Sequence, residues 1–228
     1  TNTTDSHLMK NSEWGAVAYL AWSQYGRNAT EPNINNVNLN NKDSKYIYAV
    51  TGMAATGTDT SHTSGSFTGH AYNTATGQLG STTGNITGVY DMNGCVWEYV
   101  AAYLNNTGGE TSRKTYAASL MSVAAKYKTI YTATSSLDNQ ANQYVATAVA
   151  TRYGDAVKET STRGDSASGS WNSDYSIFPY SSYPFFVRGG YYFGGAHAGL
   201  FAFYYSTGAA VYGYGFRVCL VPGPGGTL

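Results

Sequence analysis

The chain has 228 residues, and its 13 basic and 13 acidic side chains give a formal net charge of zero. This balance argues against a nucleic-acid or anionic-membrane binder, and no run of 18 apolar residues is present to span a membrane. Charged residues make up 11% of the chain, against about 25% in an average soluble domain, so the Ser, Thr and Asn that accompany 22 Tyr and 27 Gly must supply its solubility.

The first predicted element is a helix that begins at Asn11. Its apolar residues recur at helical spacing, at Trp14, Val17, Ala18, Ala21 and Tyr25. Asn11 is the expected N-cap, and Glu13 favours the first turn. Residues 28 to 84 then show little periodicity, which predicts long loops that short ordered pieces such as Tyr46 to Val50 interrupt.

The next segments are denser in apolar residues. Thr87 to Leu104 predicts core strands, and the Ala and Val content of Asn139 to Tyr153 indicates a second helix. From Phe185 to Val221, aromatic and aliphatic residues alternate with Gly pairs, which predicts short antiparallel strands joined by tight turns and a core strand at the end. At this length all-β and mixed folds often form one unit, so we expect one domain over residues 1–228.

Cys95 and Cys219 are the chain's two cysteines, and neither has the spacing of a metal motif around it. They form either one disulfide bridge or two free thiols, and we favour the thiols. Both are expected to be buried.

Three segments in fixed order carry a resemblance to one family: SEWGAVAY at 12–19, GVYDMNGCVWEYV at 88–100, and FFVRGGYY at 185–192 with GFRVCL at 215–220. Together they resemble the formylglycine-generating or sulfatase-modifying domain, a variant of the C-type lectin fold. The resemblance implies an α+β fold with short antiparallel strands, one or two helices and long irregular loops. Family members have a strand and a helix before the SEW helix. Only about ten residues precede it here, so a conventional first strand is either missing or lies on a segment removed upstream.

The resemblance also implies roles for single residues. Trp97, Arg188 and Arg217 are expected in the core, where a planar guanidinium can satisfy several backbone carbonyls at once. A family calcium site maps onto the carboxylates of Asp91 and Glu98 and the carbonyls of Gly94 and Val96, the oxygen ligands that this ion prefers. The alternative, which stays open, is that Glu98 pairs with a backbone amide or an arginine without metal.

The family's chemistry finds no support in the sequence. Formylglycine-generating enzymes use a copper-binding cysteine pair after the RGG turn, whereas Tyr191 to Tyr214 contain no cysteine. Related iron enzymes use three histidines, largely from a separate helical domain, and the four histidines here (His7, His62, His70 and His197) lack that spacing. The sequence also contains no GxSxG, HExxH or P-loop motif. We therefore expect a protein that is not an enzyme.

An aromatic stretch occupies the place of that cysteine pair and is the predicted ligand-binding surface. Its members are Tyr191, Tyr192, Phe193, His197, Ala202, Tyr204, Tyr205, Tyr212 and Tyr214. Tyrosine supplies a large amphipathic contact area with only two side-chain torsions to freeze, and small polar neighbours adapt around it. Strand alternation predicts that Phe201, Phe203 and Phe216 are buried instead, and that at least one tyrosine of each adjacent pair faces outward.

Residues 188–217 also resemble the variable segment of diversity-generating retroelement proteins, whose mutated AAY codons never encode Lys, Glu, Gln, Met or Trp. All 24 residues from 191 to 214 avoid these types, where composition predicts about 2.5. The resemblance implies an adhesin or receptor-binding protein whose partner is a protein or glycan on another cell or host surface. The alternatives are a structural decoration of a surface, pilus or tail, and a divergent oxidase. The composition indicates an extracellular, cell-surface or virion-surface location, and because Thr1 begins neither a signal peptide nor a Met-initiated chain, we expect that an upstream segment was removed.

Overall fold

The computed structural model describes residues 5–40, 47–55, 69–133, 139–145 and 152–221. In the first part of the chain, the elements are β1 (Asp5–Leu8), α1 (Asn11–Trp22), β2 (Asn38–Asn40), β3 (Ile47–Ala49), β4 (Met53–Ala54), β5 (His70–Ala71) and α2 (Ala75–Gln78). The middle part holds β6 (Trp97–Leu104), α3 (Glu110–Tyr116), α4 (Ala118–Ser122), β7 (Thr129–Tyr131) and α5 (Gln140–Val145). The last part holds β8 (Asp165–Ser166), β9 (Ser176–Ile177), β10 (Phe185–Arg188), β11 (Phe203–Ser206), β12 (Tyr214–Phe216) and β13 (Val218–Val221).

The α+β assignment agrees with this mixture of helices and a mixed sheet. The described residues contain five α-helices rather than one or two, although only α1 is longer than two turns. None of the described helices is long and apolar enough to cross a membrane. The predicted second helix is shorter than expected because α5 covers only Gln140–Val145, while Arg152 and Tyr153 are not helical and residues 146–151 lie outside the described residues.

The predicted first helix is confirmed, with different ends. Lys10, not Asn11, is the N-cap, and its backbone N–H donates to Glu13 Oε2 at 2.9 Å. This bond satisfies one of the donors that a helix start leaves without an internal partner. The helix ends at Trp22, so Tyr25 lies beyond it with 79% of its surface exposed.

The largest sheet runs in the order β12-β6-β10-β11-β9-β8, and β7 pairs with the second half of β6 beside β12. The prediction of antiparallel strands is right for β10, which lies antiparallel between β6 and β11. It is wrong for β12, which pairs with β6 in parallel. Residues 87 to 96 precede β6 without forming a regular strand, and Val89 among them is exposed. The short strand β3 agrees with the ordered piece predicted near residue 47, although Tyr46 lies outside the described residues.

The last strand differs from its prediction. β13 is not a core strand: it pairs antiparallel with β1 in a separate two-stranded sheet, and Val218, Leu220 and Val221 are exposed. A strand therefore does precede the first helix, which disagrees with the first of the two alternatives, a missing first strand. Of the two cysteines, Cys95 is buried as predicted, whereas Cys219 is only partly buried because it lies on β13. Both are free thiols.

Alternation along β6 and β10 divides the sheet into two faces. Val100, Ala102 and Leu104 join Phe186 in the main apolar core, which also contains Trp14 of α1. The intervening residues Trp97, Tyr99 and Val187 join a second, smaller cluster. Because successive side chains of a strand point to opposite faces, this second cluster marks the face of the sheet turned away from α1.

Arg188 has the predicted scaffold role and is completely buried. Its guanidinium donates four hydrogen bonds of 2.8–3.0 Å to the carbonyls of Asp155, Ala156 and Ala202 and to Asn11 Oδ1. Planar donor geometry lets one side chain satisfy several buried acceptors. Arg188 thereby ties α1 and residues 155–156 to the residue that leads into β11.

Candidate functional site: an aromatic cavity

An open cavity of about 620 Å³ lies on the face of the sheet turned away from α1. Its lining consists of Trp97, Tyr175, Ile177, Tyr191, Tyr192, Phe193, Tyr204, Val211, Tyr212, Gly213 and Tyr214. The volume falls within the range of about 300–1,000 Å³ that is usual for small-ligand sites. Most of the lining comes from residues 188–217.

Trp97, at the start of β6, lies at the centre of the aromatic residues. Its ring centroid is 5.5 Å from that of Tyr204 and 6.3 Å from that of Tyr191, with both rings nearly parallel to the indole. Tyr175 contributes a tilted ring at 5.7 Å. Ring separations of 4.5–7 Å in offset arrangements are favourable. The rings thus support one another before any ligand is present.

The backbone around the RGG turn brings Tyr191 and Tyr192 to this face. Gly189 and Gly190 follow β10 with φ of +85° and +78°, a conformation that residues with a Cβ rarely adopt. At Gly190 a Cβ would lie 2.4 Å from the Cα of Ala198, so glycine is also required by close approach. The N–H of Tyr192 then donates to the carbonyl of Cys95 at 3.0 Å, which attaches the loop to the start of β6.

A second anchor holds the opposite side of the cavity. The hydroxyl of Tyr99 donates to the carbonyl of Ala209 at 2.8 Å and lies 2.6 Å from Ser206 Oγ. The ring of Tyr99 meets the ring of Tyr214 edge to face at 5.5 Å. Because β12 pairs with β6, Tyr214 lies directly beside Trp97. The residues on β12 are therefore fixed by both backbone and ring contacts.

The cavity is electrically neutral. None of the lining residues, all from the described part of the chain, carries a charge at pH 7. Burial and the neighbouring phenols of Tyr99, Tyr191 and Tyr205 raise the pKa of Tyr214 to about 12. Burial also raises the pKa of Tyr175 and Tyr204 above the usual value of a phenol. These hydroxyls remain neutral donors and acceptors at physiological pH.

Six of the nine predicted ligand-binding residues line the cavity: Tyr191, Tyr192, Phe193, Tyr204, Tyr212 and Tyr214. The other three lie elsewhere. Ala202 is fully buried beneath it, and His197 Nδ1 lies 2.9 Å from the carbonyl of Ser173, two residues before Tyr175. Tyr205 packs against Tyr180 and Tyr183, with ring centroids 5.0 and 4.9 Å away. The ring of Tyr205 also stacks on that of Tyr204, with centroids 4.3 Å apart, so Tyr205 supports a lining residue from behind instead of lining the cavity itself.

The prediction of buried and exposed faces is partly confirmed. Phe201 and Phe203 are completely buried as expected, whereas Phe216 at the end of β12 is 68% exposed. Tyr212 is 72% exposed, and Tyr191, Tyr204 and Tyr214 are partly buried at the cavity wall. Tyr192 is buried although it lines the cavity, so in the pair Tyr191–Tyr192 only the first side chain reaches the surface.

Five lining residues were not predicted as part of the binding surface: Trp97, which was expected only in the core, and Tyr175, Ile177, Val211 and Gly213. Tyr175 and Ile177 belong to the segment WNSDYSIFPY, whose apolar alternation at 175 and 177 was a usable signal for one strand face. β9 pairs with β11 in parallel, which places these residues beside Tyr204. Such a pairing between distant segments is not visible in the sequence.

The residues predicted to bind calcium have other partners. Both oxygens of Glu98 pair with the guanidinium of Arg217. The carboxylate of Asp91 accepts from Asn35 Nδ2 at 2.7 Å and from the N–H of Gly52 at 2.8 Å. Hydrogen-bond donors therefore surround both carboxylates, an arrangement that does not fit a cage of oxygen ligands. The contacts favour the open alternative of a Glu98–arginine pair, and calcium at Asp91, Gly94, Val96 and Glu98 stays a prediction.

Comparison of the sequence with models of known protein families and with curated proteins finds no match to either.

Proposed function

We propose that this chain is a ligand-binding protein, of the adhesin or receptor-binding kind, that presents a Tyr-rich surface on a C-type lectin scaffold of the formylglycine-generating-enzyme type. The observation that carries the proposal is the neutral aromatic cavity around Trp97. Soluble proteins rarely leave a large aromatic surface exposed without a use. This cavity favours a binding protein over a purely structural surface decoration.

The composition of the cavity fits recognition better than catalysis. Its lining offers phenols, one indole and aliphatic groups, with no carboxylate, imidazole, thiol or amine among the described lining residues. Of the groups present, only the phenols could act as a general acid, general base or nucleophile, and the raised pKa values of Tyr175, Tyr204 and Tyr214 keep these three protonated at physiological pH. We therefore propose a protein that is not an enzyme, and place the divergent-oxidase alternative behind the binding function.

The proposed partner is a protein or glycan on another cell or host surface. Partly pre-packed aromatic rings lose little side-chain entropy on binding, and phenol hydroxyls can donate to and accept from either kind of partner. An extracellular, cell-surface or virion-surface location belongs to the same proposal. It is supported by the low content of charged residues and the abundance of neutral polar side chains.

We further propose that the chain is the target of a diversity-generating retroelement. The cavity residues come largely from the segment that lacks all five residue types unreachable from a mutated AAY codon. Sequencing the gene from independent isolates tests this: substitutions should concentrate in the codons of cavity residues such as Tyr191, Tyr204 and Tyr212. Substitutions spread evenly over the whole gene would contradict the proposal.

A matched pair of tyrosines tests the binding site. Tyr212 at the cavity and Tyr25 far from it along the chain have similar exposure, 72% and 79%. Tyr212→Ala and Tyr25→Ala should both change the free energy of unfolding by no more than about 0.5 kcal/mol. Wild-type protein is screened on an array of glycans and of purified surface proteins, and each hit is measured by calorimetry. Tyr212→Ala should weaken a true hit by about 2 kcal/mol or more, as at a hot spot, whereas Tyr25→Ala should not.

Two outcomes would count against the site. One is a hit whose affinity is unchanged by Tyr212→Ala and by Tyr191→Ala, since binding would then use another surface. The other is an unfolded Tyr212→Ala protein, because the tyrosine would then be a core residue.

A further inference from the structure

Three side chains of different metal-ligating type meet away from the aromatic cavity. His7 on β1 lies directly opposite Cys219 on β13, and Glu13 occupies the first turn of α1. The ligand atoms of the three all lie within 4.8 Å of one another, and His7 Nε2 is 2.9 Å from Glu13 Oε1. Residues paired directly across two strands have neighbouring side chains, so the strand register itself creates the cluster.

The second ring nitrogen of His7, Nδ1, lies near a carboxylate. The side chain of His7 is nine-tenths buried, and Nδ1 has no hydrogen-bond partner among the described residues. The nearest carboxylate oxygen to it is Asp5 Oδ1, at 3.9 Å. Asp5 is itself positioned through Oδ2, which accepts from Lys126 Nζ and from the hydroxyl of Tyr127, both at 3.1 Å. A histidine that binds a metal usually directs its second ring nitrogen towards such a carboxylate.

We propose that His7, Glu13 and Cys219 form a zinc site, with His7 Nε2, Glu13 Oε1 and the Cys219 thiolate as ligands and Asp5 as the outer partner of His7. One nitrogen, one oxygen and one sulfur ligand suit zinc, whereas calcium and magnesium prefer oxygen alone. Three protein ligands leave the fourth tetrahedral position to water or to another ligand. The site is independent of the binding function proposed for the aromatic cavity.

Small movements would complete the coordination. Zinc–ligand distances of about 2.0–2.3 Å in a tetrahedron require ligand atoms roughly 3.3–3.7 Å apart, so atoms that lie within 4.8 Å of one another need shifts of about 1 Å at most. The ammonium of Lys10 lies 3.0 Å from Glu13 Oε1 and competes with the metal. Lys10 Nζ also donates to the carbonyl of Lys126 at 3.0 Å, a bond it can keep when zinc takes the Glu13 oxygen. Glu13 Oε2 meanwhile retains its bond to the Lys10 N–H, so the helix cap is preserved.

A bound metal would join β1, β13 and α1 through direct ligand bonds. It would fasten β13, whose outer side chains are exposed, to α1 and to the main core, against which Cys219 already packs. Metal binding to the folded state alone stabilises it by mass action. We therefore expect zinc to raise the melting temperature and to protect the β1–β13 sheet from hydrogen exchange.

The test uses the reduced chain without a histidine tag and measures zinc uptake in competition with a chromophoric chelator. Wild type should take up one equivalent, and cobalt in its place should give a thiolate-to-metal charge-transfer band. His7→Gln and Cys219→Ser should each lower zinc affinity at least about 100-fold. Asp5→Asn should lower it by about 10- to 100-fold, the range usual for an outer-shell partner. His70→Gln and Cys95→Ser are the matched controls and should leave affinity unchanged.

The native wild-type protein supplies a readout that does not depend on how the variants fold. Zinc should slow alkylation of the partly buried Cys219 by iodoacetamide, as measured by mass spectrometry of its peptide. The proposal is overturned if wild type takes up no stoichiometric zinc, if the cobalt complex lacks a thiolate band, or if zinc leaves Cys219 alkylation unchanged. It is likewise overturned if folded His7→Gln or Cys219→Ser protein retains wild-type affinity.

Discussion

The Glu98–Arg217 ion pair offers a direct test of how the start of β6 is held in place. Glu98 is buried, and its two oxygens pair with the guanidinium of Arg217 in a bidentate contact. Arg217 also lies over the indole of Trp14, 5.6 Å from the ring centroid, and donates to the carbonyl of Asp91 at 3.2 Å. Burial raises the pKa of Glu98, and the neighbouring guanidinium opposes this shift. The pair thus links β6, the loop before it and α1.

The expected energies follow from burial. Removing one partner of a fully buried pair costs about 3–5 kcal/mol, because the other charge is left unpaired. Arg217 keeps some solvent contact, so Glu98→Gln should cost about 2–3 kcal/mol. Arg217→Met should cost about 3–4 kcal/mol, since it also loses the bond to Asp91. The double variant should cost less than the sum, with a coupling energy of about 1.5–3 kcal/mol.

Urea denaturation of the four proteins, followed by circular dichroism, measures this cycle. The measurement is repeated with calcium and with excess chelator. A coupling energy below about 0.5 kcal/mol would refute the ion pair. If calcium instead stabilises the wild type and Asp91→Ala abolishes this effect, the result would support the predicted calcium site at Asp91, Gly94, Val96 and Glu98, which the observed contacts oppose.

Three further predictions concern pH, backbone and thiols. Burial raises the pKa of Glu31 to about 7, so the folded state holds more protons than the unfolded chain between about pH 4.5 and 7 and loses stability as pH rises, by on the order of 3 kcal/mol. Glu31→Gln should therefore have a higher free energy of unfolding than the wild type at pH 8 but not at pH 4. Equal pH dependence of the two proteins in urea denaturation would contradict this. Gly190→Ala should lower the free energy of unfolding by about 2–4 kcal/mol, because a Cβ would collide with the backbone of Ala198. Gly213→Ala, with φ of +82° and open space around it, should lower it by only about 1 kcal/mol. Similar melting temperatures for the two variants would exclude the collision. In native protein without metal, a thiol reagent should modify Cys219 faster than the buried Cys95. In protein that is unfolded without reduction, the reagent should label both cysteines. The absence of label there would reveal a disulfide bridge.

The parts of the fold that follow from local rules were predictable from the sequence. The spacing of Trp14, Ala18 and Ala21 placed the first helix, and all three are buried. Glycine pairs and alternating apolar residues located β10 and β11, since an RGG turn can hardly continue a regular strand. Alternation likewise identified Phe201 and Phe203 as core residues. In each case, the information lies within one short segment.

The errors arise where distant segments decide the outcome. Phe216 satisfies the alternation of a buried strand, but β12 lies at the edge of the sheet and nothing among the described residues covers its outer end. Asn11 has an N-cap side chain, but that side chain instead donates to the hydroxyl of Tyr131 and accepts from Arg188. Tyr175 enters the cavity only through the parallel pairing of β9 with β11. No local pattern records these long-range contacts.

The distribution of roles along residues 188–217 shows how one segment can serve both the scaffold and the surface. Arg188 and Phe203 are completely buried and face the main core, whereas Tyr204, one residue after Phe203, faces the cavity. The alternation of a strand separates the two sets, so a substitution at Tyr204 need not disturb the bonds of Arg188. Tyr212 lies in a turn and is largely exposed, so its replacement removes few core contacts. Variation confined to cavity positions would therefore change the ligand that is recognised at a small cost in stability, which is the physical requirement for a binding surface that diversifies on a constant fold.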